Sequence, residues 1–463
     1  MHYEKLPDGS VKCIEDEIPF ELPEGWEWER LGNISNIARG GSPRPIESYI
    51  TDDKSGINWI KIGDTEKDGK YIYTTKEKIK KEGLSKSRYV ESDDFLLTNS
   101  MSFGRPYILK TNGCIHDGWL VIGNIKNVFN QDYLYYALSS NFMYQTLSLL
   151  AAGSTVKNLK SDTVKSVLFP IPPMKEQQEI ANAVNRFMEY VVSIEKDKTT
   201  LLETIQATKS KILDLAIRGK LVPHDPNDEP ASVLLERIRT EKEELIKQGK
   251  IKRDKRESVI FKGEDNSYYL LTSDNKSYKV HMPYELPRGW ELTSISSACI
   301  INPKNSIDDN TEVSFVPMPL INEGFSNNHT YEIKKWSDVK SGFTHFAEND
   351  IGIAKITPCF ENRKSVIFNN LKNGYGAGTT ELHIIRTISN AIIPEYILCI
   401  AKSKDFISKG VNNFTGAVGQ QRISKDFIAN YFIPIPPLAE QHRIVNAIEI
   451  TFAKLDEIAN ALS

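Results

Sequence analysis

The 463-residue chain is 40% hydrophobic and 26% charged, with a formal net charge of −3; this is globular composition with length for two to four domains. It excludes a bilayer-spanning segment, because no apolar run is long enough, and a secretory leader, because the start, MHYEKLPDGS, is polar. It also excludes a disulfide framework: Cys13, Cys114, Cys299, Cys359 and Cys399 are scattered and odd in number, as in a reduced cytoplasmic protein.

Residues 1–21 read as a loose, acidic arm. The first globular segment, 22–169, carries short β-rich runs at 58–62, 95–98, 115–122 and 166–169, and one helical stretch at 132–150. A Gly-Ser-Thr loop follows at 153–158. Pro170-Ile171-Pro172-Pro173 then opens a helix that meets no Pro or Gly before Gly219. Along it Ile180, Val184, Phe187, Val191, Ile194, Leu201, Ile205, Ile212 and Leu215 keep a four-three spacing, the seam of a coiled coil. Residues 219–285 form a connector with an amphipathic helix at 231–248, ended by Gly249, and a basic run at 250–256 that reads as a solvated linker. The second globular segment, 286–432, has strands at 314–316, 350–356 and 382–386 and a helix near 394–407. Residues 433–463 close the chain with a second seam at Ile444, Ile448, Leu455 and Ile458.

The chain repeats itself. An offset of 264 carries Leu22-Pro23-Glu24-Gly25-Trp26 onto Leu286-Pro287-Arg288-Gly289-Trp290. It also carries Pro170-Ile171-Pro172-Pro173 and Glu176-Gln177 onto Pro434-Ile435-Pro436-Pro437 and Glu440-Gln441. One offset held across separate motifs means two tandem copies of one unit. The fold class is therefore α+β: two mixed α/β domains in tandem, each followed by a long helix, the two helices pairing as a coiled coil.

No catalytic set emerges. There is no His or Cys pair at metal-ligand spacing, no phosphate loop, no Asn/Asp-Pro-Pro-aromatic methyltransferase motif and no nucleophile elbow. The expectation is a chain without catalytic residues, metal or cofactor. Binding chemistry remains. Residues 1–35 hold nine acidic and three basic side chains, but residues 36–130 hold fifteen basic and twelve acidic ones. Such a core suits DNA if a basic partner adds phosphate neutralisation. The candidate DNA-binding residues are Arg39, Ser42 and Arg44 in one tight loop, Asn99, Ser100 and Arg105 after a strand, and Lys157 in the glycine loop. In the second copy they are Thr357, Asn362, Arg363 and Lys364 after the corresponding strand, and Gln420, Gln421 and Arg422 in the second glycine loop. Guanidinium and amide groups suit phosphates and base edges.

Together, the Leu-Pro-x-Gly-Trp and Pro-Ile-Pro-Pro-x-x-Glu-Gln motifs, the run 213–223 and Pro226-Asn227-Asp228-Glu229-Pro230-Ala231-Ser232 resemble a type I restriction-modification specificity subunit over essentially the whole chain. That resemblance implies a prokaryotic protein with two target recognition domains, each reading half of a split site in double-stranded DNA. It implies that the two conserved helices pair as an antiparallel coiled coil and dock two methyltransferase subunits, with restriction and translocase subunits joined through them. Adenine methylation and ATP-driven cleavage would belong to those partners. The rival reading is a two-headed coiled-coil scaffold that recognises no DNA. One departure from an even repeat stands out: the first helix continues past Thr199, whereas the second copy reaches its last residue at the matching place.

Overall fold

In the computed structural model, every residue is described except 7, 67–68, 101, 152–157, 254–258, 273, 418 and 463. The chain divides into two compact units, Met1–Glu195 and Lys196–Ser463, each treated separately below.

The first unit is built on two five-stranded sheets. One has the order Asn36–Arg39, Trp119–Gly123, Phe95–Thr98, Pro106–Leu109, Tyr71–Ile72; the other runs Ile50–Thr51, Glu77–Ile79, Ile57–Ile60, Gly113–Ile115, Arg88–Val90. Strands such as Phe95–Thr98 and Trp119–Gly123 are buried at every position, which is why they read as unbroken apolar runs without alternation. The expected single strand at 115–122 is two strands, because the turn at His116–Gly118 passes the chain from one sheet to the other. The arm is not loose: Tyr3–Lys5 pairs with Val11–Cys13, and Arg30 bridges Glu4 (2.8 Å) and Glu17 (2.7 Å).

The second unit repeats the plan with two four-stranded sheets. Their orders are Cys299–Ile301, Leu382–Thr387, Ile351–Ala354, Ser365–Ile367 and Glu332–Lys335, Glu312–Val316, Tyr375–Gly378, Thr344–Ala347. In both units the opening and closing strands pair antiparallel. Glu27 faces Ile171 in one and Glu291 faces Ile435 in the other, so the repeat offset is also a structural register. Each internal helix expected as one piece is two. Gln131–Ser139 and Asn141–Leu150 break at Ser140, and Pro394–Lys402 and Lys404–Asn412 break at Ser403. Each serine turns its hydroxyl onto the next helix's backbone N–H, an N-cap that competes with helix continuation.

The central helix runs unbroken over Met174–Ile217. Gly219, at φ +65°, ends it by letting the Gly219 and Lys220 amides reach back to Ala216 and Leu215 carbonyls. In the second unit, Lys209 touches Asp456 and the Phe452 ring, while His224, just past the helix end, meets Glu440 at the start of Leu438–Ala461. The later part of the central helix and the C-terminal helix therefore run antiparallel. Their seam buries Ile205, Ile212, Leu213, Ala216 and Ile217 and, opposite, Ile444, Val445 and Ile448. The expected seam is covered in part: Ile180 packs on the first unit's core, but Leu201 and Ile458 are 40% and 47% exposed. In the first unit Phe187, Val191 and Ile194 remain 69%, 48% and 65% exposed.

Candidate nucleic-acid interface

Backbone geometry gathers the first-unit loops at the turn His116–Gly118. Gly40 and Gly41 donate their N–H groups to the Trp119 and Ile115 carbonyls. A Cβ on Gly40 would stand 2.1 Å from the His116 carbonyl oxygen, so only glycine allows this approach. Asn99, 1% exposed, donates its backbone N–H to the Gly118 carbonyl and its side-chain amide to the Asp117 carbonyl at 2.7 Å. Its own carbonyl accepts from Leu159, which anchors the chain just beyond the glycine loop at the same place. Lys157 itself lies outside the described residues.

The sequence reading missed the group at the centre of this cluster, Asp117. Its carboxylate accepts from Ser42 Oγ at 2.9 Å and faces Arg44 at 3.6 Å, while Arg39 Nε donates to its backbone carbonyl at 3.0 Å. Burial alone would raise this carboxyl. Hydrogen bonds from Ser42 and its own backbone, with the charges of His116 and Arg39, outweigh that and hold it below the ordinary carboxylate range. Arg44 remains 83% exposed, a cation held loosely enough to exchange Asp117 for a phosphate. Ser100 is half-buried on the adjoining turn. Arg105 there lies over the Tyr107 ring at 5.4 Å.

In the second unit, two loops far apart in the chain are joined as a ladder. Thr357 donates its N–H to the Gln421 carbonyl, Ile423 donates to the Lys355 carbonyl, and Ile356 bridges Arg422. Here the organising carboxylate is Glu381, gripped by Arg422 through two bonds of 2.9 and 3.1 Å. The bonds from Arg422, then its charge, keep Glu381 below its ordinary pKa against the effect of burial. Arg422 also braces the Gln420 carbonyl at 2.9 Å, which leaves the Gln420 side chain exposed. Thr357 donates to Glu361 at 2.6 Å and Asn362 to Glu323 at 3.2 Å.

Arg363 and Lys364 turn inward rather than outward. Arg363, at φ +57°, donates to the Lys402 carbonyl at 3.0 Å and lies over Phe325 at 5.0 Å; Lys364 reaches the Met318 carbonyl at 3.4 Å. Lys402, 3% exposed, returns two bonds, to the Gly324 and Arg363 carbonyls at 2.8 and 2.9 Å. Burial, then the neighbouring Arg363 charge, pushes the Lys402 pKa down to about 7. Among the described residues no group of His, Cys, Asp and Glu is placed to hold a metal, and no helix is long and apolar enough to cross a membrane.

Two tandem α+β domains, each with an ordered cluster of cationic and amide-bearing loops and a helix behind it, define a class of paired recognition modules. The chain belongs to the type I restriction modification DNA specificity domain family, whose model matches residues 23–204 and 287–462, one match per repeat. It is 49% identical over 259 residues to the type I restriction enzyme EcoAI specificity subunit of Escherichia coli, a match covering 56% of this chain but only 40% of that protein. The EcoBI specificity subunit of Escherichia coli is 20% identical over 467 residues, covering 97% of this chain and 84% of that one. The HsdS subunit from Thermoanaerobacter tengcongensis shares the fold, with a TM-score of 0.56 at 16% identity, covering 96% of this chain and 92% of that one.

Proposed function

We propose that this chain is the sequence-specific DNA-binding specificity subunit of a cytoplasmic prokaryotic type I restriction-modification complex. It carries no catalysis of its own. Each target recognition domain, residues 22–169 and 286–432, reads one half of a bipartite site in double-stranded DNA. The observation that carries this reading is the recurrence, in both halves of a family member, of a loop cluster organised by one carboxylate with cations and amides around it.

On this reading Arg39, Arg44, Ser100, Gln420 and Gln421 face DNA. Asp117 and Glu381 keep the loops in shape until phosphates compete for Arg44 and Arg422. Arg363, Lys364 and Asn99 act from behind as braces. The helices dock two methyltransferase subunits, and restriction subunits join through these. The exposed apolar stripe Phe187, Tyr190, Val191 and Ile194 supports docking along the central helix, since large exposed apolar patches mark interaction sites.

The test is the methylome of cells carrying this chain with its methyltransferase, against cells carrying the methyltransferase alone. A split motif that depends on the chain is the expected result. Methylation independent of it, or methyl transfer by the purified chain alone, contradicts the proposal.

A further inference from the structure

The turn that gathers the first-unit loops is built on an imidazole. The His116 ring lies over Gly118, where a Cβ would stand 2.2 Å from its Cε1, and between Trp59 and Trp119, whose ring centres are each 6.3 Å away. Both ring nitrogens face backbone donors. Nδ1 meets the Gly118 N–H at 2.8 Å and Nε2 the Ile62 N–H at 3.2 Å. A neutral imidazole can accept one of these bonds. An imidazolium donates from both nitrogens and can accept neither.

The second unit makes the same turn without a titrating group. Thr379–Glu381 leads into the strand Leu382–Thr387 as His116–Gly118 leads into Trp119–Gly123. Thr379 Oγ1 accepts from the Glu381 N–H at 3.1 Å, two residues on, as Nδ1 does from Gly118. A hydroxyl keeps its lone pairs across the range in which histidine changes charge.

The charged groups about His116 are Asp117 in its own turn, which holds Arg39 and Arg44, and Lys61 and Asp64 beside Ile62, with Glu77 on Lys61. Burial outweighs the pull of Asp117 and leaves the ring below its ordinary 6.5. The open turn therefore takes a proton more readily than the closed one, and the closed turn loses stability as pH falls below that value.

We propose that His116 is a positioning residue of the first recognition domain: its uncharged ring holds the turn to which Arg39, Ser42, Arg44 and Asn99 are tied, so acid withdraws reading of the first half-site and spares the second. This rests on the DNA-reading function proposed above.

The test uses the chain in complex with its methyltransferase, on the split motif that the methylome supplies. Affinities for the cognate duplex, and for duplexes scrambled in the first or the second half, are followed by fluorescence anisotropy from about pH 8 to about pH 5. Discrimination against the scrambled first half is expected to fall about tenfold towards the acid end, the effect of one buried backbone N–H left without an acceptor. Discrimination against the scrambled second half should hold. His116→Asn offers a side-chain carbonyl to the N–H two residues on and should flatten the pH profile, and Thr379→His should bring the acid loss to the second half, with circular dichroism unchanged in both. The inference fails if wild-type discrimination at the first half does not change with pH, if His116→Asn loses it to the same extent, or if both halves fall together. Absence of any chain-dependent motif would overturn both this inference and the function on which it rests.

Discussion

Single buried polar groups set the frame on which the loops stand. Gln441, fully buried, donates to the Ala391 and Pro436 carbonyls and accepts from the Ile393 N–H, and Gln177 does the same for Val128, Pro172 and Asn130. This explains why the glutamine of the helix-opening motif recurs: it ties the helix start to the domain's internal helix. Gln441→Ala should cost about 2–3 kcal/mol in urea unfolding, because it strands three backbone groups. Lys402 makes a second prediction. Its pKa is about 7 in the folded chain, against an ordinary 10.5. Between those values the unfolded chain holds the proton and the folded chain does not, so stability rises with pH across that window and is lost again as pH falls towards 7. Lys402→Met should flatten this rise in the difference between wild-type and variant denaturation midpoints. Neither Asp117 nor Lys402 was legible in the sequence, since the groups they hold lie 75 and 39 residues away and no local pattern marks the pairing.

At the scale of elements, helix ends were more legible than helix breaks. Gly219 and Gly249 stop their helices as expected, both in left-handed conformation. The apolar spacing ran through Ser140 and Ser403, because a single N-cap leaves the helical period of its neighbours intact. The seam was legible in period but not in extent. Lys209, 4% exposed, sits in it with its ammonium over the Phe452 ring and paired with the exposed Asp456. Asp456→Ala should therefore cost about 2 kcal/mol by leaving a buried cation unpaired, whereas Lys209→Met should be close to neutral. Chemical denaturation of both variants checks the pair. Equal losses would contradict the seam geometry.

For the whole molecule, the tandem organisation was the most legible feature, because one offset preserved the opening motif, the closing strand and the helix start together. The loop clusters proposed to read DNA were the least legible, since each forms only when loops from distant stretches meet. If the central helix sets the distance between half-sites, a heptad inserted at Thr199 adds about 10 Å, or about three base pairs, at an added twist of about 100°. The expected outcome is a spacer longer by two or three pairs or a large loss of modification, read by methylation-sensitive sequencing.

The central claim, that each domain reads its own half of the target, is tested most directly by exchanging residues 36–160 for the matching segment of a relative with a different target. Sequencing the modified motif before and after should show one half-site changed and the other retained. A change in both halves together, or an unchanged motif, would contradict the account.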